Sequence, residues 1–594
     1  MKLSVIVPTH NRLAILRKSV PRLLAQNFPA EECELLYVLD ACSDGSEGYL
    51  QDCTSPFPLR VLHSPSRGPS AARNAGIQAA CGELVLFLDD DLLCRPDHFR
   101  RHCEAHTGNR KAVVHGPIYI APESAPTLAR YHTERFYEEY YRTRDSRFEF
   151  SYPSRLNAKL SSVLSSLANS SVPREALLHV GGFDEGIFAA EDLELGLRLW
   201  KMGLVFCFAP AAEVREYYQK SSHDYLRLLP KALAPGEVQL LRKHPEYRPC
   251  ATLAGFAEAR TSRRWLRDAV LRSPFFPMAL LTAPLRLERF YSHIPSLRQA
   301  GLWLFQFAEK VTRLRASLRA MGSWRTVRQE FDRVLPVLCY HLVGPQTPGV
   351  PEYLNVSAAN FERQLRWLKR HNYTAIHTAD WQRWLDEGRG LPEKPVLITF
   401  DDAYHCTASI AFPLLQKYGF TATVFTVTAR IGATNTWDEA KGFPALPLMT
   451  SDEIRRWNME GIEFGAHSRT HTDLVQATPS ECLAEVRGSR EELASLLGHP
   501  VTSFAYPYGN WNEGVRQVCQ HEFDLALCSQ EGLNYLRTDR HCLRRIYVGP
   551  YDTIPEFAWS VRHGGLGGWR RWRGHLGLHS RLRHLSNVLG RNRK

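Results

Sequence analysis

The stretch ELVLFLDDD, residues 83–91, joins a continuous apolar run to three consecutive carboxylates. A short apolar run bounded by turn residues is typical of a strand that is buried on both faces of a parallel sheet. Ser4–Val7 and Leu35–Leu39 predict further strands. Leu13–Leu24 and Ala71–Ala80 predict helices between the strands. This alternation predicts an α/β fold with a parallel sheet, whose ligands bind at the carboxyl ends of the strands.

Carboxylates stand at two of these predicted strand ends. Asp40 follows one strand, and Asp89, Asp90 and Asp91 follow another. Adjacent carboxylates repel one another, and a divalent cation removes this repulsion. Mg²⁺ or Mn²⁺ prefers such hard oxygen ligands and commonly bridges one or two carboxylates to substrate phosphates. Taken by itself, the DDD run is also compatible with an acidic surface turn.

Five separated segments carry a resemblance to a known family. They are VIVPTHNR (5–12), the turn at Asp40 and Asp44-Gly45-Ser46, GPSAARNAG (68–76), ELVLFLDDD (83–91) and GGFDEGIFAAEDLELGLRLWKMG (181–203). In this order they resemble the inverting family 2 glycosyltransferases over about residues 1–220. The resemblance implies a GT-A fold with a doubly wound mixed sheet. It also implies sugar transfer with inversion from a nucleotide-sugar donor, with Mg²⁺ or Mn²⁺ as cofactor.

The same resemblance implies the residues that bind the donor. Asp89 and Asp91 match the DxD motif, which holds the metal and the diphosphate of the nucleotide sugar. Asp40 matches the position that contacts the base or the ribose. Arg73 is a candidate phosphate contact, and an arginine on a helix surface is an equal alternative.

On the acceptor side, Glu191 and Asp192 match the acidic pair of the family. The implied role of Asp192 is general base, because a carboxylate within hydrogen-bond reach can take the proton of an attacking sugar hydroxyl. Glu191 is placed at the nucleotide-sugar site. Glu216 stands where many relatives have a histidine, which is a departure from the family pattern.

Residues 222–333 read as a basic helical bridge with apolar and aromatic residues throughout. One interpretation is an extension that packs on the first domain and spaces the two domains. The other is an interfacial surface that rests on a membrane carrying a lipid-linked acceptor. Prolines interrupt any regular apolar stripe, which favours the first interpretation.

Strand ends carry polar residues in the second half as well. The predicted strand Val334–Tyr340 ends at His341, and the predicted strand Pro395–Phe400 ends at Asp401 and Asp402. Polar residues at successive strand ends are typical of a (β/α) barrel with its site at the carboxyl face. A barrel-like second domain is therefore expected over residues 334–565.

His467 and His471 follow another predicted strand of this half. Two histidines and one aspartate are a common ligand set for a catalytic zinc that keeps a position open. The neighbouring pair Asp401 and Asp402 can then divide its duties, with one carboxylate on the metal and the other acting as base. By itself, a pair of histidines at this spacing is a weak indication.

The motifs TFDD (399–402), HSRTH (467–471), FAYPYG (504–509) and LRRIYV (543–548) resemble those of the polysaccharide deacetylases of carbohydrate esterase family 4. The resemblance covers about residues 334–560. It implies that Asp401 is the catalytic base. Asp402, His467 and His471 match the ligands of Zn²⁺ or another divalent transition metal. The implied reaction is hydrolytic N-deacetylation of a glycan or glycolipid that contains N-acetylhexosamine.

The resemblance places Tyr506, Pro507, Tyr508 and Arg545 in the substrate groove. Tyr506 stands where the more common motif has arginine. No late L-x-H segment supplies a general acid. The early Tyr340-His341 pair matches a subgroup similar to poly-N-acetylglucosamine deacetylases, so His341 is the expected acid. A structural histidine that caps a strand is the alternative.

Charge and composition restrict the partners. The chain has 594 residues, a net charge of +12 and a hydrophobic fraction of 44%, which are values of a globular protein of two or three domains. The tail 566–594 contains eight Lys/Arg and no Asp/Glu. It is either a solvated basic segment or a basic amphipathic segment on anionic lipid. Nucleic acid is an unfavoured partner, because no recognisable module accompanies the charge.

The sequence predicts a cytoplasmic protein, with peripheral contact to the inner face of the cytoplasmic membrane as an option. Its 14 cysteines form no CxxC pair, and the first residues look like a strand rather than a secretory signal. The expected division is a transferase domain (1–221), a bridge (222–333), a deacetylase-like domain (334–565) and a tail (566–594). The expected partners are a nucleotide sugar and a glycan or lipid-linked saccharide acceptor.

The preferred hypothesis is a bifunctional carbohydrate enzyme. One alternative is that only the transferase is active and the barrel is a glycan-binding or inactive module. Another is a membrane-associated scaffold or nucleic-acid binder that acts through the basic tail.

Overall fold

A computed structural model describes residues 2–108, 111–142, 167–254, 285, 288 and 294–566. The chain divides into two compact units, Met1–Thr326 and Val327–Lys594. The middle of the predicted bridge and nearly all of the basic tail lie outside the described residues.

The described strands of the first unit are β1 (Leu3–Thr9), β2 (Cys33–Leu39), β3 (Leu59–His63), β4 (Leu84–Leu88), β5 (Leu92–Cys94), β6 (Ala112–His115), β7 (Ile118–Ile120), β8 (Asn169–Pro173), β9 (Val205–Phe208) and β10 (Val214–Glu216). Its described α-helices are α1 (Leu13–Leu24), α2 (Ser46–Gln51), α3 (Pro69–Ala79), α4 (His98–Ala105), α5 (Leu128–Arg142), α6 (Arg174–His179), α7 (Glu191–Lys201), α8 (Ser222–Leu228), α9 (Ala234–Lys243) and α10 (Pro295–Ala320).

The main sheet of this unit has the order β3-β2-β1-β4-β8-β6-β9 among the described strands. Strands β1 to β4 run parallel, whereas β8 pairs antiparallel with both β4 and β6. A second, smaller sheet of the described strands has the order β5-β10-β7. The mixed, doubly wound sheet confirms the predicted fold class of the N-terminal half.

Strand β4 lies at the centre of this sheet, and all five of its residues are buried. Its burial on both faces explains the continuous apolar run in the sequence. On one face, α3 packs closely on β1: a Cβ at Gly76 would lie 2.5 Å from Cγ2 of Ile6. Glycine therefore lets α3, which carries Arg73, approach the strand ends that carry the carboxylates.

The described helices of the predicted bridge contribute to the core of the first unit. Leu226, Leu302 and Phe305 from these helices form one buried cluster with Ile120 and Leu128 of the preceding fold. These contacts attach the described helices to the core of the first unit. None of the described helices combines the length and the apolar character that crossing a membrane requires.

The described strands of the second unit are β11 (Val337–Tyr340), β12 (Leu342–Val343), β13 (Asn355–Val356), β14 (Thr374–Ala375), β15 (Pro395–Phe400), β16 (Thr423–Thr426), β17 (Glu463–Ala466), β18 (Ser503–Ala505), β19 (Leu525–Glu531) and β20 (Leu543–Tyr547). Helix α11 (Trp324–Phe331) spans the boundary between the two units. The described α-helices of the second unit that follow it are α12 (Ala358–Arg370), α13 (Thr378–Glu387), α14 (Phe412–Tyr418), α15 (Ser451–Met459), α16 (Pro479–Leu497), α17 (Glu513–Glu522) and α18 (Ile554–His563).

The second unit is a closed barrel. Its sheet has the order β11-β20-β19-β18-β17-β16-β15-β14, and β11 also pairs with β15, which closes a ring of seven parallel strands among the described residues. Helices such as α16 connect successive strands; α16 begins with a capping box at Thr478 and Glu481 and ends at Gly498. This architecture confirms the predicted (β/α) barrel, and its strands end together at one face.

Candidate active sites

The carboxyl ends of β1, β2 and β4 meet at one edge of the first sheet. Asp40 lies just beyond β2, where its backbone N–H donates to the carbonyl oxygen of Thr9 (2.9 Å). The Oδ2 atom of Asp40 accepts a hydrogen bond from the N–H of Gly68 (3.0 Å). Asp40 is thereby fixed beside the loop that precedes α3. This loop leads into Arg73, so the loop and helix connect two of the predicted donor-site residues.

Arg73 links the two predicted acidic clusters. Its guanidinium donates to Oδ1 of Asp89 (2.9 Å) and to Oε1 of Glu191 (3.4 Å). It also lies 3.7 Å from Oδ1 of Asp192. Burial alone would lower the pKa of Arg73, but Asp192, Asp89 and Glu191 together raise it, so the cation is held in its charged form. Arg73 is 6% exposed, which excludes the surface-helix alternative.

Arg12 is a site residue that the sequence reasoning missed. Its guanidinium contacts Oδ1 of Asp90 (3.3 Å) and Oδ2 of Asp91 (2.7 Å). The hydroxyl of Thr9 donates to the other oxygen of Asp90 (2.7 Å). Asp90 is therefore held inward by Thr9 at the end of β1 and by Arg12, which directly precedes α1. Both contacts come from the segment VIVPTHNR, whose adjacency to the aspartates becomes visible only once β1 and β4 are paired.

Glu216 lies next to the last aspartate of the DDD run. In the small sheet Glu216 pairs with Leu92, which directly follows Asp91 in the sequence. The Oε2 atom of Glu216 accepts a hydrogen bond from the hydroxyl of Tyr137 (3.2 Å). Burial raises the pKa of Asp91, and the negative charge of Glu216 raises it further. Burial likewise raises the pKa of Glu216. A divalent cation between such carboxylates would relieve their repulsion, so this donor set fits a hard cation.

Glu191 and Asp192 begin helix α7. They occupy its first turn, where acidic side chains interact favourably with the helix dipole. Burial raises the pKa of Asp192 to about 7, with Arg73 opposing the shift and Glu191 adding to it. In the part of the chain that the structure describes, Oδ1 of Asp192 accepts no hydrogen bond. A carboxylate whose pKa lies near neutrality is suited to general-base chemistry.

The predicted metal ligands of the barrel come together. Asp402 lies after β15, and His467 and His471 lie after β17; one ligand atom from each falls within 4.8 Å of the others. Nε2 of His471 is 3.3 Å and Nε2 of His467 is 3.7 Å from Oδ1 of Asp402. This Oδ1 is buried and accepts no hydrogen bond within the described residues. An orphaned buried oxygen between two imidazoles fits a divalent transition metal.

A second contact orients one of these ligands. Nδ1 of His467 lies 2.7 Å from the carbonyl oxygen of Ala505. The carbonyl can only accept, so Nδ1 carries the proton and Nε2 presents its lone pair toward Asp402. Burial lowers the pKa of His467 to about 4, which keeps the imidazole neutral, as metal binding requires.

Asp401 is held by an arginine of β20, a strand that only β11 separates from β15 in the barrel. Nη1 of Arg545 donates to both carboxylate oxygens of Asp401 (2.7 Å each), and Nε of Arg545 donates to the carbonyl oxygen of Cys528 (3.0 Å). Burial alone would raise the pKa of Asp401, but the charge of Arg545, together with His467 and His341, holds that pKa below its usual value. Asp401 thus stays ionised, and Arg545 positions it rather than only lining a groove.

His341 faces the same carboxylate from the end of β11. Its Nε2 lies 3.9 Å from Oδ2 of Asp401, and its side chain is 19% exposed. Both residues border a cavity of about 260 Å³ that also exposes the metal-ligand set. Cys339 lies beneath the pair, with its Sγ 3.9 Å from Oδ2 of Asp401. A substrate in this cavity can therefore contact His341. A histidine that only caps the strand would not need to face the cavity, so this position favours the role of acid.

The FAYPYG segment is divided between core and cavity. Tyr506 is fully buried, and its hydroxyl donates to the carbonyl oxygen of His541 (2.9 Å). Pro507 is also buried. Tyr508 borders the cavity, 41% exposed, with its ring 4.6 Å from that of His471. The groove prediction is therefore corrected for Tyr506, whose side chain points into the core because it continues the strand alternation of β18.

An aromatic residue from a loop completes the cavity, and no motif indicated it. Trp437 stacks on the ring of His471, with centroids 4.7 Å apart and an interplanar angle of 19°. It belongs to the connection between β16 and α15, which also brings Phe443 to the cavity. Connections of this kind vary in conformation and carry specificity, so their residues are poorly predicted from local pattern.

Backbone strain is concentrated at both sites. Of the nine described non-glycine residues with positive φ, eight lie within two positions of the residues discussed above: Asn11, Ala41, Ala189, Asp402, Ala403, Ser468, His471 and Tyr508. Left-handed conformations are unfavourable for such residues and persist only where the surrounding structure enforces them. The strain of Asp402 and His471 is consistent with ligands held in a prescribed geometry.

Three family models match the chain. The model of glycosyl transferase family 2 matches residues 4–158, and that of glycosyl transferase family group 2 matches residues 84–294. The model of polysaccharide deacetylase matches residues 388–522. The chain joins a family 2 glycosyltransferase domain to a polysaccharide deacetylase domain. These matches confirm both enzyme classes predicted from the motifs, a transferase and a deacetylase.

Individual relatives are similar to one domain or the other. YxkH of Bacillus subtilis (strain 168) is 25% identical over 225 residues, which are 38% of this chain and 75% of YxkH. The poly-beta-1,6-N-acetyl-D-glucosamine N-deacetylase of Staphylococcus aureus (strain MSSA476) is 26% identical over 168 residues, 27% of this chain and 55% of that protein. The chain thus spans about half the length of the second relative. The solved mannosyltransferase PcManGT of Pyrobaculum calidifontis, in complex with GDP-Man and Mn²⁺, is 18% identical over 53% of this chain and 87% of its own, with a TM-score of 0.36.

Proposed function

We propose that the chain is a bifunctional enzyme that transfers a sugar from a nucleotide donor with inversion and removes an N-acetyl group from a glycan or glycolipid. The observation that carries the proposal is the arrangement of Asp402, His467 and His471 around one point, beside an ionised Asp401. The transferase half rests on the Arg73 network, which joins Asp89 to the Glu191-Asp192 pair.

In the transferase, Asp192 accepts the proton of the acceptor hydroxyl as its oxygen attacks the anomeric carbon of the donor. Attack on the face opposite the nucleotide inverts the configuration of that carbon. Asp40 contacts the nucleoside part of the donor. Arg73 fixes the positions of Asp89, Glu191 and Asp192 relative to one another. Asp89 and Asp91 would hold Mg²⁺ or Mn²⁺. When bound, the cation would stabilise the charge of the departing nucleoside diphosphate.

In the deacetylase, Asp401 accepts a proton from the water that attacks the amide carbonyl carbon. His341 donates a proton to the amide nitrogen as the C–N bond breaks, so acetate and a free amine leave. Arg545 keeps Asp401 ionised and correctly oriented. Asp402, His467 and His471 would hold Zn²⁺ or another divalent transition metal. That metal would polarise the carbonyl as a Lewis acid.

The proposed substrates follow from the pairing of the two chemistries. An N-acetylhexosamine is a donor sugar for the first half and carries the amide that the second half cleaves. One chain then holds both activities at high effective concentration. The similarity to the Staphylococcus aureus poly-beta-1,6-N-acetyl-D-glucosamine N-deacetylase supports this substrate class. We place the reaction at the inner face of the cytoplasmic membrane, where nucleotide sugars meet lipid-linked acceptors, with the basic tail (566–594) contacting anionic lipid.

The experiment measures acetate release from N-acetylglucosamine oligomers and lipid-linked N-acetylhexosamines by the full chain. Release is followed before and after chelation and after addition of Zn²⁺. We expect release to stop on chelation and to return with the metal. Protein that transfers sugar but releases no acetate from any of these substrates would instead indicate a transferase with a glycan-binding barrel.

A further inference from the structure

A second group of metal-ligating side chains lies beside the Asp402 set in the barrel. Cys339, His341 and Asp401 each offer one ligand atom, and these three atoms lie within 4.8 Å of one another. Cys339 lies in β11, His341 directly follows that strand, and Asp401 directly follows β15. Because β11 pairs in parallel with β15, the three side chains meet at the same face of the barrel.

One carboxylate oxygen is the meeting point of this group. Sγ of Cys339 and Nε2 of His341 both lie 3.9 Å from Oδ2 of Asp401. In a tetrahedral site with Zn–S of about 2.3 Å and with Zn–N and Zn–O of about 2.0 Å, the sulfur and the nitrogen lie roughly 3.3–3.5 Å from the oxygen. Movements of roughly half an ångström would therefore give the three atoms the geometry of zinc ligands.

Arg545 leaves part of the coordinating capacity of Asp401 unused. Its Nη1 donates to both carboxylate oxygens, at 2.7 Å each. A carboxylate offers about four lone-pair sites on its two oxygens, so Oδ2 keeps one for a cation. The guanidinium charge already balances that of the carboxylate, which weakens the attraction of Asp401 for a further cation.

The group can be reached from the cavity of the barrel. His341 and Asp401 both border this cavity, and the side chain of His341 is 19% exposed. Cys339 is only 2% exposed and lies beneath the pair. A cation that enters from the cavity therefore meets two ligands at the cavity floor and a third below them. The position that faces the cavity is left to water, as in other three-ligand zinc sites.

Donor type and charge distinguish the two groups of ligands. A thiolate is a soft ligand that favours Zn²⁺, whereas Mg²⁺ and Mn²⁺ favour oxygen donors. The thiol of Cys339 has to lose its proton before it can bind the cation. The two groups also contain the adjacent residues Asp401 and Asp402, so two bound cations would repel each other. The group with Cys339 is therefore expected to fill only after the Asp402 set, at higher Zn²⁺ concentration.

We propose that Cys339, His341 and Asp401 form a second Zn²⁺ site of lower affinity, whose occupation inhibits the deacetylase. The inhibition rests on the deacetylation proposed above. With Zn²⁺ in this site, Nε2 of His341 can no longer carry a proton for the leaving amine, and Oδ2 of Asp401 can no longer accept one from water. The proton of the Cys339 thiol leaves to solvent. Zn²⁺ thus has two opposite effects on the barrel, activation through the Asp402 set and inhibition through the Cys339 group.

The first test titrates Zn²⁺ into the metal-free full chain and follows acetate release from N-acetylglucosamine oligomers. We expect release to rise to a maximum and then to fall, whereas excess Mn²⁺ added at the maximum should leave it unchanged. In Cys339→Ser the falling limb should move to Zn²⁺ concentrations about tenfold higher or more. Loss of a hydrogen-bond partner of a metal ligand already costs about 10–100-fold in affinity, and loss of a ligand costs at least as much.

Cys482→Ser is the matched control. Cys482 is likewise buried, at 4% exposed, but it lies on α16 and belongs to neither group of ligands. Each profile is normalised to its own maximum, so that a change in overall activity does not enter the comparison. The falling limb of Cys482→Ser should lie at the Zn²⁺ concentration of the unchanged chain. If Cys339→Ser has a lower melting temperature than the unchanged chain, Cys339→Ala takes its place.

The second test detects the site without turnover. Binding of a thiolate to Co²⁺ produces a charge-transfer absorption band in the near ultraviolet. The Asp402 set contains no sulfur, so the band should appear with excess Co²⁺ in the full chain, persist in Cys482→Ser and be absent in Cys339→Ser. If no oligomer releases acetate, the cobalt spectrum alone decides the second site, and only the proposed deacetylase is refuted. A band that persists in Cys339→Ser, a missing falling limb, or a falling limb at the same Zn²⁺ concentration in Cys339→Ser would overturn the proposal.

Discussion

Replacing Arg545 with methionine removes the cation that holds the proposed base of the deacetylase. The guanidinium side chain is 1% exposed and the Asp401 side chain 4% exposed, so solvent does not screen the pair. The substitution leaves a buried carboxylate without its partner, which costs about 3–5 kcal/mol of unfolding free energy. For a unit of this size, such a loss lowers the melting temperature by roughly 10 °C.

The same substitution changes the pH dependence of acetate release. The folded-state pKa of Asp401 is lowered, so its ionised form adds stability above the unfolded pKa of about 3.9. That stability is lost as pH falls through the lower folded pKa. Without Arg545, burial raises the pKa of Asp401 instead. The carboxylate then protonates at higher pH, and the acid limb of kcat/KM moves upward by about one pH unit or more.

Two assays on the full chain measure these effects. Acetate release after brief heating follows the stability of the barrel, and kcat/KM against pH follows the acid limb. Arg544→Met is the matched control, because it removes the same charge one residue away on an exposed side chain. The reasoning is refuted if Arg545→Met has the same melting temperature as the unchanged chain, or if the acid limb of its kcat/KM profile lies at the same pH.

Three further predictions concern the individual sites. Because the pKa of Asp192 is about 7, its carboxyl is protonated at lower pH, and the transfer rate should rise with pH through about 7; a rate that is flat between pH 6 and 8 contradicts this. His471→Ala should remove the bound metal, read by elemental analysis, together with acetate release, whereas His499→Ala, at an exposed residue, should retain both. Glu216→Gln should raise the Mn²⁺ concentration at half-maximal nucleotide release, because it removes a carboxylate next to Asp91; an unchanged concentration would exclude Glu216 from the cation site.

The positions of the strand-end residues could be predicted from the sequence because the physics is local. An apolar run followed by polar residues defines a buried parallel strand and its carboxyl end. The carboxyl ends of parallel strands meet at one edge or face. Asp40 and Asp89 therefore lie at the same edge of the sheet, and Asp402 and His467 lie at the same face of the barrel, although one strand separates the members of each pair. Both fold classes followed from the same alternation of strands and helices.

Other features depend on tertiary packing and could not be read in this way. The burial of Arg73 depends on how closely α3 approaches β1, which Gly76 permits. Arg12 reaches Asp91 only because β1 pairs with β4. Tyr506 was placed in the groove by its motif, but its strand position directs the ring into the core. Trp437 lies in a loop without periodicity, so no pattern indicated its contact with His471.

The central claim is that one chain contains two independent catalytic sites. The most direct measurement assays nucleotide-sugar transfer and acetate release in parallel for the full chain, Asp192→Asn and Asp401→Ala. We expect Asp401→Ala to release no acetate while transferring sugar at the unchanged rate, and Asp192→Asn to lose transfer by a factor of about 10²–10⁴ while releasing acetate normally. Loss of both activities in either variant would contradict independent sites, as would acetate release that persists without Asp401.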